Sequence, residues 1–419
     1  MRKIYTGIDI GSYKTKMVVA EYYNNKFYVL ASHCMNSKGI KKGVIVETNL
    51  VVEMIKEGIK EIKNSLGINI KKIIVNIPDY NTKFTEVTGS IEINNESNKV
   101  TSEDINKVIK ESIYNKLPED HELVTVVPEY YKINGEGKIS KPIGKSGQKL
   151  EIQGIMITTP KKNIYSVLST IENAGLEVVD ITVDGLATYF EVHDNELDKK
   201  NGAVINLGHA KTTVSIFEEG KLKNSETLQI GGINIEKDLA YVFGVSVFDG
   251  RTLKEKFASA HKRFCQLTEV YEVKNTIGET LKLNQLEVSE VVMSRMEEIL
   301  NIAKKQIRML AEAEIDYIVL TGGLTEIKSF KNLAYEIFGK DVMIHTVTTL
   351  GCRDNKYTNV LGMIKYYEDK MESRGKEVSM LDIEETSLIT PNAKFKKDNN
   401  KNGIVDKILG NFTTNKEDK

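Results

Sequence analysis

Two short stretches, far apart in the chain, carry residue types suited to holding an anion. Ile8-Asp9-Ile10-Gly11-Ser12-Tyr13-Lys14-Thr15 and Ile205-Asn206-Leu207-Gly208-His209-Ala210-Lys211-Thr212 share the spacing I-x-x-G-x-x-K-T, each at the end of an apolar run. A glycine turn after a buried strand can aim successive backbone N–H groups at one point, and the missing side chain lets a bulky anion approach. Phosphate is the natural guest. Asp9 suits a hydrated magnesium ion, and Lys14 suits neutralising phosphate charge. One such turn is common, whereas two copies facing each other across a cleft are a specific signal. A third glycine element, Thr321-Gly322-Gly323-Leu324, also ends an apolar run and can bring backbone against a flat ring, as an adenosine site requires. Gly144-Lys145-Ser146 resembles the end of a P-loop, but Ile139 stands where its first glycine must be.

The elements that must position these turns repeat. Residues 4–10, 16–23 and 26–32 read as three strands with an Asn24-Asn25 hairpin; residues 202–207, 212–217 and 221–228 repeat the layout around Glu218-Glu219-Gly220. The recurrence predicts an internal duplication. A helix over 50–66, with Val51, Ile55, Ile59 and Ile62 on one face, and another over 233–243 end at Gly67 and Gly244. Further buried strands are expected at 72–77 and 316–321. Between the halves, 82–160 is strand-rich apart from one helix opening at Thr101-Ser102-Glu103-Asp104, so it reads as a small inserted α+β domain. A helix over 162–174 leads back to a strand at 176–183, and 286–311 reads as a long amphipathic helix.

Composition excludes several classes. The 419 residues hold 58 Lys and Arg against 59 Asp and Glu, a net charge of -1, so no global basic field drives nucleic-acid binding. Cys34, Cys265 and Cys352 lack CxxC spacing, which predicts a reducing compartment, the cytosol, and no zinc cluster. No apolar run is long enough to span a bilayer, and the first residues lack the apolar stretch of a signal peptide. From residue 368 onward polar residues dominate, which predicts a disordered linker. Within 402–415, Ile404, Val405, Ile408, Leu409 and Phe412 fall on one helical face beside a lysine-rich approach. Such a basic amphipathic helix suits an anionic inner membrane leaflet; docking on the body of the protein or on a partner is the alternative.

In collinear order over about residues 3–367, these motifs resemble the bacterial cell-division FtsA family, of the actin, sugar-kinase and Hsp70 superfamily. The likeness also covers Lys41-Lys42-Gly43-Val44-Ile45, Gly231-Gly232, Asp238-Leu239-Ala240 and residues 357–366. It implies an α/β architecture: a duplicated actin-like, ribonuclease-H-like fold with an inserted subdomain. The first half would comprise 1–81, 161–198 and 357–367, the insert 82–160, the second-half core 199–230 and 315–356, and its outer subdomain 231–314; a linker at 368–401 and the helix at 402–415 would follow.

The resemblance implies ATP and Mg2+ between the halves, held by Gly11, Ser12, Tyr13, Lys14, Asn206, Gly208, His209, Lys211, Thr212, Gly232, Lys254, Gly322, Gly323 and Leu324. Asp9 would hold the metal through water or serve as acid or base. It further implies an adaptor that assembles as an actin-like filament, binds the FtsZ C-terminal peptide at Arg295, and recruits other division proteins. Its place would be the cytoplasmic face of the membrane at the septum. Three departures stand out: Asn206 for an aspartate, His209 for a small residue, and Arg251 for an acidic residue on the ribose side. They point to a slow ATPase at most. Two other readings are a sugar or acid kinase of the same superfamily and a pilus-assembly-type actin-like adaptor.

Overall fold

The computed structural model describes residues 2–381. Strand β1 (Lys3–Ile10) is buried along its length and pairs antiparallel with β2 (Lys14–Tyr23), which pairs antiparallel with β3 (Lys26–Asn36). Asn24 and Asn25 turn this hairpin with φ of 50° and 58°, left-handed values that asparagine tolerates better than most residues. A small hairpin, β4 (Ile40–Lys41) and β5 (Val44–Ile45), leads into α1 (Thr48–Leu66), and β6 (Lys72–Ile77) then lies parallel to β1.

The chain leaves this sheet to build a second one from β7 (Lys83–Glu92), α2 (Ser102–Ile113), β8 (His121–Ile133), β9 (Glu136–Ile139) and β10 (Lys149–Pro160), with strand order β7-β10-β8-β9. As the sequence predicts, Thr101 and Asp104 form a capping box at the start of α2. Helix α3 (Lys161–Asn173) returns the chain to β11 (Glu177–Val183), parallel to β6. Helix α4 (Asp184–Val192) follows, and sequence periodicity misses it because it is buried on nearly every side and shows no polar stripe.

The second half comprises β12 (Gly202–Leu207), β13 (Thr212–Glu218), β14 (Lys221–Leu228), α5 (Gly232–Phe243), α6 (Val247–Thr252), the outer hairpin β15 (Val270–Lys274) and β16 (Thr280–Asn284), α7 (Gln285–Leu310), β17 (Tyr317–Thr321), α8 (Phe330–Phe338) and β18 (Met343–Ile344). Its sheet order, β14-β13-β12-β17-β18, repeats the first sheet's β3-β2-β1-β6-β11, with the same parallel and antiparallel senses. The repeated turn motif therefore marks a repeated fold, and both turns leave the same end of equivalent strands.

Helix α9 (Thr358–Ser373) crosses back to pack on α4, β1 and β6. The polar linker expected from residue 368 is corrected here, because these charged residues are paired inside the protein. Glu368 accepts from Lys3 Nζ at 2.7 Å and from the Tyr5 hydroxyl, and Lys370 donates to Asp180 at 2.7 Å. Met371, Met380 and Leu381 are buried, and Met380 N donates to Ile4 O. The rest of that segment and the amphipathic run at 402–415 lie outside the described residues.

Helices α4 and α9 approach so closely that a Cβ on Gly362 would overlap the Ala187 carbonyl and lie 3.0 Å from Glu191 N. Gly362→Ala is accordingly expected to destabilise the fold by about 1–3 kcal/mol through overpacking. Urea unfolding of the variant beside the wild type checks this, and equal midpoints would contradict it.

Candidate nucleotide-type cleft

The turns after β1 and β12 line one cleft of about 410 Å³ between the two halves. Two lysine–aspartate pairs line it, one within the first half and one across the halves. Lys16 Nζ donates to Asp9 Oδ2 at 2.6 Å, with both side chains almost buried. Lys211 Nζ donates to Asp184 Oδ2, joining the second turn to the first residue of α4. Lys14, the sequence counterpart of Lys211, stays near the mouth and donates to Asn36 Oδ1 at 2.6 Å. The inward cation of the first half is Lys16, two residues further along β2 and hence on the same strand face.

Asp184 gathers the floor of the cleft. Its Oδ1 accepts from Asn76 Nδ2 and, at 2.9 Å, from Asn359 Nδ2. Asn206 is turned toward these amides and donates to Asn359 Oδ1 at 2.7 Å and to Thr188 Oγ1 at 3.0 Å. The carboxylate missing from position 206 is thus matched by one on α4, from the opposite half. Behind it, Asp79 Oδ2 accepts from Gly185 N at 3.0 Å and from the Ser225 hydroxyl, while Asp79 Oδ1 is buried without a partner. Burial, reinforced by the Asp184 charge, pushes the Asp79 carboxyl up toward neutral pH, and burial also raises Asp184. Burial lowers Lys211, but the combined attraction of Asp184, with its hydrogen bond, and of Asp9 and Tyr80 holds it above its ordinary range.

The opposite lip is built on Glu236 of α5, which has no solvent exposure. It accepts from Arg251 Nε at 3.0 Å, Arg251 Nη2 at 2.8 Å and Lys254 Nζ at 2.6 Å, and lies 3.3 Å from His209 Nε2. Burial alone would raise this carboxyl, but hydrogen bonds with His209 and Arg251 and the Lys254 charge bring it down to about 2. The acid that the sequence pattern lacks at Arg251 is supplied by α5, and the arginine pairs with it.

Most residues expected at the site converge on this cleft: Asp9, Gly11, Ser12, Tyr13, Lys14, Asn206, Gly208, His209, Lys211, Lys254, Gly322, Gly323 and Leu324 all line it. Two do not. Thr212 is fully buried in β13 with its hydroxyl donating to Ile230 O, because strand alternation turns it away from the cleft. Gly232 lies behind the lining as the first residue of α5, its N–H donating to Gly208 O at 3.1 Å. Sequence reading misses Lys16, Asp184, Asn355 and Asn359, which also line the cleft, and Glu236 behind its rim. Only the charged residue two places beyond Lys14 carried a local signal. Arg295 lies apart on α7, paired with Asp238 (Nη2 to Oδ1, 3.0 Å) and Glu298. The membrane residues Ile404, Val405, Ile408, Leu409 and Phe412 fall outside the described residues.

The residues present suit a magnesium nucleotide. Gly322 has a φ of 96°, and a Cβ there would lie 2.5 Å from Asn206 Oδ1, whereas a Cβ on Gly323 would meet nothing within 4 Å and leaves open space for a ring. Ser12 Oγ is buried beside the turn without a partner. No group of three or more His, Cys, Asp or Glu among the described residues forms a ready metal cage. Magnesium bound through one carboxylate, water and substrate phosphates needs none.

A duplicated sheet pair closing on a polar cleft, with an α+β insertion in its first half, defines an actin-like protein. Solved structures share the fold. The chain matches a PilM-PilN type IV pilus biogenesis complex with TM-score 0.58 at 13% identity, covering 86% of this chain and 97% of that one. It matches MreB5 of Spiroplasma citri bound to ADP with TM-score 0.55 at 11% identity, covering 89% and 98%. Residues 203–362 match the family model of cell division protein FtsA, and residues 80–158 match the SHS2 domain inserted in FtsA. The cell division protein FtsA of Enterococcus hirae is 30% identical over 367 residues, 87% of this chain and 83% of that protein. The chain belongs to the FtsA family of cell division proteins. Among the described residues no helix is long and apolar enough to cross a membrane.

The raised Asp79 carboxyl sets a pH dependence. It ionises in the unfolded chain near pH 4 but later in the folded one, so folding loses stability as pH rises from there toward neutrality. Asp79→Asn is expected to flatten this fall, gaining on the wild type more at pH 7.5 than at pH 4.5. Denaturant midpoints at the two values test it, and a larger relative gain at the lower pH would contradict it.

Proposed function

We propose that the protein binds ATP with magnesium in the cleft and works as an adaptor that assembles at the cytoplasmic face of the membrane at the septum, tethers FtsZ filaments there and recruits other division proteins. The observation that carries the nucleotide reading is the meeting of the two glycine turns, the inward lysines and the Gly322-Gly323 wall in one cleft. The bound ADP of the similarly folded MreB5 supports it. In this reading the turns at Gly11 and Gly208 offer backbone donors. Lys16 and Lys211, held on Asp9 and Asp184, would bring positive charge to the phosphates, and Asp9 would be the carboxylate that holds magnesium through water. ATP supplies the hydrolysable phosphoanhydride. Turnover is slow, because Asn206 carries no charge and Asp184 is already committed to Lys211, Asn76 and Asn359.

FtsA membership and the matching segment on α7 support FtsZ-peptide binding by Arg295, whose planar fork suits a carboxylate. Binding there requires exchange of its pairs with Asp238 and Glu298. Membrane attachment is assigned to the basic amphipathic run at 402–415, where one short helix binds weakly and an actin-like filament multiplies the contact.

A Cβ on Gly11 would lie 2.6 Å from Lys14 O, so Gly11→Val deforms the first turn. ATP with magnesium is expected to raise the melting temperature of the wild type, and Gly11→Val is expected to bind it at least tenfold more weakly. Absence of any ATP effect on the wild type in calorimetry would reject the nucleotide reading. Deleting residues 403–419 is expected to release the protein from anionic vesicles while its melting curve stays unchanged. Full cosedimentation of the truncated protein in moderate salt would reject the anchor.

A further inference from the structure

The mouth of the cleft holds a contact that nucleotide binding does not call for. Tyr13 projects from the first half's turn, and its ring meets two residues of the second half. The Arg251 guanidinium carbon lies 3.8 Å from the ring centroid, and the His209 ring lies 5.0 Å away, tilted by 35°. Arg251 is not free to follow a moving ring, because Nε and Nη2 are both fixed on Glu236 Oε2. Glu236 is fully buried, also holds Lys254 at 2.6 Å, and lies within 3.3 Å of His209. The second half therefore presents a rigid cationic clasp, and the first half inserts an aromatic tongue into it.

We propose that Tyr13, Arg251 and His209 form a latch that holds the two halves closed across the cleft before any ligand arrives. A cation over an aromatic face is attractive and gains strength as water is excluded, and here Arg251 and His209 are both largely buried. The two residue types that break the family pattern at His209 and Arg251 both serve this one contact. A bulky anion then enters when Tyr13 swings out, so the latch sets the rate of opening.

The test is hydrogen exchange read by mass spectrometry on the full chain without nucleotide, following peptides over residues 9–14 and 207–212, with residues 149–160 of the inserted sheet as a folding control. Tyr13→Ser is expected to speed exchange about tenfold in both turns, including the one in the opposite half, while the control stays unchanged. Arg251→Met is expected to do the same, and the double variant to match either single one, because all three remove one contact. Tyr13→Phe keeps the ring and loses only the hydroxyl's bond to Arg251, so it should exchange much closer to the wild type than Tyr13→Ser. If Arg251→Met also loosens the control by stranding Glu236, Tyr13→Ser decides, since it leaves every Glu236 partner in place. Wild-type exchange of residues 207–212 in Tyr13→Ser, additive effects in the double variant, or a Phe variant that behaves like Ser would each overturn the latch.

Discussion

The ion pair between Asp184 and Lys211 holds the centre of the molecule. It joins the start of α4, in the first half, to the second half's turn, and both ends are taken out of water. A buried carboxylate is tolerable only when cations and donors surround it, and removing one partner of such a pair commonly costs about 3–5 kcal/mol. That demand explains why Asn76 from β6 and Asn359 from α9 both donate to Asp184, with Asn206 from β12 joined to Asn359 behind them. One carboxylate thereby sets the relative positions of two sheets and the two helices between them.

The same rule governs the rim. Three cationic or polar side chains converge on Glu236, and Lys16 turns inward onto Asp9. Positions 206 and 251, where the FtsA resemblance leads one to expect acids, hold Asn206 and Arg251. Carboxylates reach the same neighbourhoods from α4 and α5. Each of these carboxylates is engaged by protein donors.

At the far end of the first half, buried charges also hold the last described residues. Lys3 with Glu368 and Lys370 with Asp180 fix α9 to β1 and β11, and the strand-like contact of Met380 with Ile4 carries the chain along β1. Ser102 of the inserted subdomain donates to Arg374 O, and Lys141 pairs with Glu372 at 3.1 Å. The segment leading toward the carboxyl terminus is therefore packed jointly against the first sheet and the insertion.

Local pattern was enough for much of this. The strands, hairpins and capped helices followed from apolar periodicity and turn residues, and the repeated I-x-x-G-x-x-K-T motif announced two equivalent turns, because such signals reside in neighbouring residues. Glycine turns also marked most of the cleft lining. Helix α4 escaped notice because burial on every side erases the polar stripe that periodicity needs, and Asp184 went with it. Charge in the segment after residue 367 read as solvent-facing because one-dimensional pattern cannot see Lys3, Tyr5 or Asp180 waiting as partners. Asp184, Glu236 and Asn359 became site residues only through contacts between groups tens to hundreds of positions apart. Sequence chose the parts and their local form; which charges would meet across the cleft was decided by the packing of the two halves, since a buried charge is defined by whatever surrounds it in space.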